Sequence, residues 1–197
     1  MNRARNTSSL NFPVRPDSSA EVSDFGDWDF GTGDFSVECW AQFGFINNST
    51  FGLTASTLNV ILSSGTASST SVDGFNLLTN SSDFVVRIGD GTDNSGTPNS
   101  LTITGTPVVG TWYHIVVTRN DSTNTVTAYV NGAAAGTATH ADWGADVSTS
   151  DPLIIGNDKG GNRNYKWPID GVKLYSKVLS LAEVKRNYNA TKGSHRN

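Results

Sequence analysis

Cysteine, charge and long apolar runs are all scarce in this sequence. Cys39 is its single cysteine, so no intrachain disulfide can hold the fold together. Charged residues make up 16% of the 197 positions, the formal net charge is −4, and no Lys/Arg cluster occurs. Nucleic-acid binding proteins usually show the opposite balance. No apolar stretch approaches the roughly 20 residues that a membrane-spanning helix needs. We therefore expect neither nucleic-acid binding nor membrane insertion.

Groups that could carry catalysis are also few. The chain has only three glutamates, whereas glycoside hydrolysis needs two carboxyl groups at a set separation. Glu38 stands alone on one face of its predicted strand, where a solvated or hydrogen-bonded residue is the more frequent interpretation. The three histidines lack the spacing of a metal cluster, and no Gly-x-Ser-x-Gly motif occurs. The sequence therefore predicts a protein that is not an enzyme.

Patterns typical of short strands and turns are frequent in the chain, and the stretch between Gly110 and Gly136 shows them most clearly. Aromatic and β-branched residues favour a strand over Trp112 to Arg119, and Thr125 to Val130 alternates between two faces. The polar cluster Asn120 to Asn124 is typical of a turn. Asn131 and Gly132 form the strongest hairpin signal, because a type I′ turn needs positive φ at both positions. The segment is therefore an antiparallel meander.

The same pattern recurs along the chain and ends in one helix. Asp34 to Phe43 alternates as a strand does, and further short strands follow at regular intervals. Ser180 and Glu183 have the spacing of a capping box, which predicts a helix that begins there. The fold class is all-β: a two-sheet antiparallel jelly-roll sandwich with one short C-terminal helix. We expect residues 1–20 to form an N-terminal arm and a first edge strand, and residues 21–197 to form the sandwich domain.

Three segments resemble laminin-G-like domains of the concanavalin A-like lectin and pentraxin superfamily. The first is FGTGDFSVECW at residues 30–40, which resembles the family's second strand. The second is WYH at residues 112–114 with YVNG at residues 129–132, which resembles the central hairpin. The third runs from LIIG at residue 153 through IDGVKLY to the Leu-Ser-x-x-Glu-Val helix start. The resemblance implies a concanavalin A-like sandwich, a fold that is usually extracellular.

The resemblance to pentraxin-like members also implies a calcium site. Calcium takes oxygen ligands from Asp, Asn and backbone carbonyls on loops. The loop of residues 156–164 puts Asn157 and Asp158 forward as ligands, with Asp73 as the mid-chain counterpart. Lys159 beside Asp158 weakens this set, and a turn built from Asn, Asp and Gly for backbone reasons is the alternative.

A sugar site would need aromatic rings to stack on a sugar and polar groups to bind its hydroxyls. Trp143, Tyr165 and Trp167 lie in or beside the loops that flank the closing strands, so they are the candidate ligand-binding residues. For Trp167, which precedes Pro168, an equally good interpretation is that the side chain caps the core.

The function that we expect is that of a non-enzymatic structural or adhesive module. GTGDF at residue 31 and NYNATKG at residue 187 resemble, more loosely, laminin-G-like segments of tailed-phage virion proteins. That implies a capsid decoration or fibre protein on the virion surface, with glycan binding. Residues 1–20 would then contact the capsid, another virion protein or other copies of the chain in a homo-oligomer. The alternative is a free extracellular lectin that binds cell-surface glycan, with or without calcium.

Overall fold

The part of the chain that the structure describes contains eleven strands and one α-helix. The computed structural model describes residues 10, 19–23, 29–44, 58–65, 72–92, 99–103, 105 and 107–195. The strands are β1 (Ala20–Val22), β2 (Phe35–Gln42), β3 (Asn59–Ser63), β4 (Asp73–Thr79), β5 (Phe84–Asp90), β6 (Ser100–Ile103), β7 (Trp112–Asn120), β8 (Thr125–Val130), β9 (Ala133–Thr139), β10 (Leu153–Ile155) and β11 (Ile169–Tyr175). The helix, α1, spans Leu181–Thr191. Among the described residues, no helix is both long and apolar enough to cross a bilayer.

The strands form two sheets, which confirms the predicted fold class. One sheet has six strands in the order β1-β10-β3-β4-β5-β6, and the other has five in the order β11-β2-β7-β8-β9. Every pair of neighbouring strands is antiparallel. Apolar side chains from the facing surfaces of both sheets form one core cluster, to which β2 contributes Phe35, Val37, Cys39 and Ala41. The alternation along β2 is therefore as predicted.

The outer face of β2 is buried as well, although its pattern is polar. Ser36, Glu38 and Trp40 are each no more than 3% exposed. The C-terminal segment covers them: Ser36 Oγ donates to Lys177 O at 2.7 Å, and Trp40 Nε1 donates to Thr191 Oγ1 at 2.9 Å. The C-terminal segment thus forms a third layer on the five-stranded sheet.

The hairpin turn and the helix cap form where the sequence predicts them. Asn131 and Gly132 have φ angles of 51° and 79°, the positive pair that the hairpin signal predicts. The capping box at α1 is present, since Ser180 Oγ accepts from Glu183 N and the Glu183 carboxylate accepts from Ser180 N. Asn120 caps the turn of Asp121–Thr123 by accepting from a backbone N–H.

The N-terminal region is described only in part. Within residues 1–20, for which an arm and a first edge strand were predicted, only residues 10, 19 and 20 are described, and Leu10 pairs antiparallel with Ile169 of β11. The short strand β1 was not predicted from sequence, and it extends the six-stranded sheet beyond β10. The domain division at residue 20 stays a prediction.

A matched pair of valine substitutions tests the burial pattern. Val117 is 2% exposed in the core, whereas Val108 is 64% exposed on a turn. We expect Val117→Ala to lower the free energy of unfolding by about 2 kcal/mol, because it removes buried methyl groups and leaves a cavity. Val108→Ala should change it by less than about 0.5 kcal/mol. Urea unfolding measures both, and equal effects would contradict the assignment of Val117 to the core.

Candidate functional site

Two of the aromatic residues that were predicted to bind a sugar lie in the core. Trp143 is 2% exposed and belongs to the central apolar cluster. Tyr165 is fully buried, and its hydroxyl donates to Gln42 O at 2.6 Å. Neither residue offers a ring face to solvent in this structure.

The third predicted residue, Trp167, is half-buried and lies against Gly44. A Cβ atom at Gly44 would lie inside the Trp167 ring, so glycine allows this contact. The rings of Tyr165 and Trp167 have centroids 5.8 Å apart. The structure therefore brings these two residues together, in an arrangement that caps the core.

The predicted calcium ligands Asn157 and Asp158 are both buried, and protein donors already use their oxygens. Asn157 Oδ1 accepts the backbone N–H groups of Asp158 at 2.9 Å and Arg163 at 3.1 Å. Asp158 Oδ2 accepts from Arg163 Nη1 at 2.5 Å. The contacts build a tight turn, and a calcium ion at Asp158 would compete with Arg163 for the carboxylate.

Asp73, the third predicted ligand, stands at the start of β4 in a different set of contacts. Burial, followed by the charges of Asp151 and Asp90, raises the pKa of Asp73, and Lys159 partly offsets this. Lys159 itself pairs with Asp151. Within the described ranges, no group of three or more His, Cys, Asp or Glu side chains is arranged to hold a metal ion. The calcium site stays a prediction.

A different site stands out on the outer side of the five-stranded sheet, and we call it the aromatic pocket. It has a volume of about 400 Å³ and opens to solvent between the sheet and the C-terminal segment. Strands β2 and β7, the β8–β9 turn, α1 and the residues after it all contribute. Its lining residues are Trp40, Trp112, Asn131, Tyr188, Asn189, Lys192, Gly193 and His195.

Aromatic rings stack on one another in this pocket. The Trp40 ring is nearly parallel to that of His195, with centroids 4.2 Å apart, and it also stacks on Tyr188 at 5.8 Å. Trp112 meets His195 edge-on at 4.9 Å. Trp40 is almost fully buried, whereas Trp112 and Tyr188 are half-buried and so keep part of their surface open to the pocket.

The polar side chains of the pocket have internal partners for their acceptors. Asn131 Oδ1 accepts from His114 N at 3.0 Å. Asn189 Oδ1 accepts from Lys192 Nζ at 2.7 Å. The amide NH₂ groups of both asparagines and the ammonium group of Lys192 are hydrogen-bond donors.

Gly132 fixes the distance between the hairpin turn and α1. A Cβ atom there would approach Tyr188 Cδ1 to 3.0 Å, and the positive φ of 79° disfavours any other residue. A side chain at this position would therefore push Tyr188 away from the turn and deform the pocket.

Beneath α1, a buried carboxylate connects three elements. Glu38 Oε1 accepts from Lys173 Nζ at 2.7 Å and lies 3.3 Å from His114 Nε2. Glu38 Oε2 accepts from Asn187 Nδ2 at 2.7 Å and from the Tyr175 hydroxyl at 3.0 Å.

These contacts change the acid–base behaviour of the cluster. Burial alone would raise the pKa of Glu38. The contacts with His114, Lys173 and Asn187 outweigh burial and lower the pKa of that carboxyl to about 2. Burial and the neighbouring carboxylate raise the pKa of Tyr175 to about 12. The ionised carboxylate is thus part of the folded structure at neutral pH.

Sequence reasoning missed the aromatic pocket. The alternation along β2 puts Trp40 on the polar face with Ser36 and Glu38, and a tryptophan there is a signal that something covers that face. Tyr188 follows Leu181 by seven positions and so shares its helix face, but the contact of Tyr188 with Trp40 depends on how the helix docks. His195 follows the helix, in a region with no periodic pattern.

Comparison with known proteins identifies the family. A laminin G-like family model of the concanavalin A-like lectin/glucanases superfamily matches residues 16–185, so the chain belongs to that superfamily. A search of curated protein sequences gave no match.

Solved structures with the same fold include the binding domain of Paraclostridial Mosquitocidal Protein 1. It has a TM-score of 0.62 and 16% identity, over 88% of this chain and 40% of that one. The receptor-binding domain of Botulinum Neurotoxin Type G has a TM-score of 0.60 and 16% identity, and the match covers 93% of this chain and 42% of that one. The ligand-binding domain of Botulinum neurotoxin serotype D, solved in complex with N-acetylneuraminic acid, has a TM-score of 0.59 and 16% identity. That match covers 80% of this chain and 36% of the other. This chain therefore spans less than half the length of these structures.

The lowered pKa of Glu38 predicts an acid-dependent stability. Its stabilising effect is complete above the ordinary pKa of 4.5 and is lost as the pH falls towards the folded-state value of about 2. We expect Glu38→Gln to lower the free energy of unfolding by about 2–3 kcal/mol at pH 7. This difference from the wild type should shrink steadily between about pH 4.5 and pH 2.

Urea unfolding at a series of pH values measures the difference, with Glu21→Gln as the control, because Glu21 is exposed on β1. A Glu38→Gln effect that is the same at every pH would contradict the role of the ionised carboxylate.

Proposed function

We propose that this chain is a carbohydrate-binding module and that it binds a sugar in the aromatic pocket. The observation that carries the proposal is the combination of half-buried aromatic rings with hydrogen-bond donors in one open cavity. Its volume of about 400 Å³ falls within the range of small-molecule sites, which is roughly 300–1,000 Å³. The aromatic pocket thus has the size and the mixed lining that such a ligand requires.

The chemistry of the lining suits a sugar ring. Trp112 and Tyr188 present flat apolar surface, which can cover the C–H face of a sugar. Asn131, Asn189 and Lys192 stand beside these rings and can donate hydrogen bonds to sugar oxygens. Apolar contact then supplies affinity, and the polar groups set orientation.

The fold comparisons support this class of function. The structures that share the fold are titled as binding domains, and one of them was solved with N-acetylneuraminic acid. At 16% identity, this support extends to the fold and not to individual residues. The superfamily also includes glucanases, so catalysis needs a separate argument.

The module acts without catalysis in this proposal. Hydrolysis of a glycosidic bond needs two carboxyl groups that can reach the substrate. Glu38 is 1% exposed and is engaged by protein donors, and Asp170 Oδ2 lies 2.9 Å from His195 Nε2. Glu38 and Asp170 therefore both have structural partners.

Display on a virion surface is the setting that the looser resemblance implies. In that setting the module would be a decoration or fibre protein, with residues 1–20 in contact with the capsid or with other copies. A free extracellular lectin is the alternative, with or without calcium bound at the loop of residues 156–164. These points stay predictions.

A pair of tryptophan substitutions tests the proposal. We expect Trp112→Ala to weaken binding of the best ligand from a glycan array at least about tenfold, because an aromatic contact at the centre of a site carries much of the affinity. Trp167→Ala is the matched control, since it removes a half-buried tryptophan that packs on Gly44. Isothermal titration measures the affinities, and thermal unfolding confirms that both variants fold.

The two variants also separate the two candidate sites. If Trp112→Ala binds as the wild type does while Trp167→Ala loses binding, the sugar site belongs to the loop beside Trp167 and the aromatic pocket is not the site.

A further inference from the structure

We infer that the aromatic pocket selects an anionic sugar, one that carries a carboxylate or a sulfate ester. The inference rests on the proposed function and adds the chemical class of the ligand. Three independent observations lead to it: the kind of hydrogen-bonding group that the lining offers, the partners of the nearby carboxylates, and the distribution of charge along the chain.

The side chains of the lining offer more donors than acceptors. The side-chain oxygen of Asn131 already accepts from His114 N, and that of Asn189 already accepts from Lys192 Nζ. Each of these oxygens keeps one lone pair, whereas each asparagine also has an NH₂ group and Lys192 is a donor only. The Trp40 Nε1–H group is used, because it donates to Thr191 Oγ1.

A set of donors discriminates between neutral and anionic sugars. Each hydroxyl of a neutral sugar both donates and accepts, so a site that binds it well usually supplies acceptors too. Where donors outnumber acceptors, some hydroxyl protons lose a partner, which weakens binding. A carboxylate or sulfate group has only acceptor oxygens, and hydrogen bonds from a charged donor to such a group are the stronger ones.

Two of the described carboxylates lie near the pocket, and both have protein partners. Asp170 Oδ2 lies 2.9 Å from His195 Nε2, and the Nδ1 atom of the same ring is 3.2 Å from Thr191 O. Glu38 lies deeper, where it accepts from Lys173 and Asn187. Lys173 therefore compensates the charge of Glu38 before any ligand arrives.

The segment that forms one side of the pocket has a charge opposite to that of the rest of the chain. Residues 176–195 contain four Lys or Arg and one Asp or Glu, whereas the rest of the chain contains ten and seventeen. On α1, Lys185 precedes Asn189 by four positions and Lys192 by seven, so all three share one helix face. A positive segment on an otherwise negative protein directs an anion to this pocket rather than to the surface at large.

The experiment compares sugars that differ in one group. A galactose-terminated oligosaccharide, its galacturonate-terminated counterpart and its 6-sulfated counterpart are titrated into the full chain at low and high ionic strength, with a short oligonucleotide as a phosphate-bearing comparison. We expect both acidic sugars to bind about tenfold more tightly than the neutral one at low ionic strength. The difference should narrow at high ionic strength because salt screens exposed charges.

Variants at one lysine then locate the effect. Lys192→Gln should reduce the preference for acidic over neutral sugar several-fold, and Lys192→Arg should retain most of it. Lys177→Gln is the control, since Lys177 is an exposed lysine that pairs with Glu183 outside the aromatic pocket. The carboxylated and sulfated ligands show which anion fits better.

Each outcome tests either the inference about anionic sugars or the proposed function. Equal affinity for the neutral and acidic sugars, or a preference that Lys192→Gln leaves intact, would overturn the inference but keep the proposed function. Binding of none of the sugars would overturn the proposed function itself. Tighter binding of the oligonucleotide than of every sugar would overturn the inference in favour of a nucleic-acid ligand.

Discussion

A buried carboxylate joins α1 to the outer face of the five-stranded sheet. Glu38 projects from the outer face of β2 and accepts hydrogen bonds from Lys173 of β11 and Asn187 of α1. Because unpaired charges are costly to bury, the loss of either partner would destabilise Glu38 in this position. The carboxylate therefore favours one arrangement of α1 on strands β2 and β11, and the aromatic pocket lies along the boundary between α1 and the sheet.

The fold was predictable because its determinants are local. The hairpin at Asn131 and Gly132, the capping box at Ser180 and the alternation along β2 each follow from a few neighbouring residues. These signals, together with three motifs in the order that the family requires, were enough for the two-sheet sandwich. Strand β1 escaped prediction because its three residues are too few for a periodic pattern.

The candidate site was less predictable because it depends on which faces become covered. Loop position suggested that Trp143 and Tyr165 were accessible, but both loops fold back so that these rings join the core. In the same way, Asp158 looked like a metal ligand until the fold brought Arg163 to it. Trp40 shows the opposite case: it lies on the polar face of β2, where no site was expected, and it forms the base of the aromatic pocket. Sequence periodicity assigns a residue to a face, and tertiary packing decides what that face contacts.

The C-terminal layer also has a consequence for the order of events during biosynthesis. The hydrogen bond from Trp40 to Thr191 joins residues 151 positions apart, and His195 completes the stack on the Trp40 ring. A ribosome releases the chain from its N-terminus onward, so β2 and β7 are synthesised long before their outer covering. Until residues 187–195 have emerged, Glu38 lacks its partner Asn187 and Trp40 lacks the hydrogen bond and ring contacts that cover it. The aromatic pocket is therefore among the last parts of the described chain to form, and a ligand that requires it can bind only a polypeptide whose synthesis has passed this point.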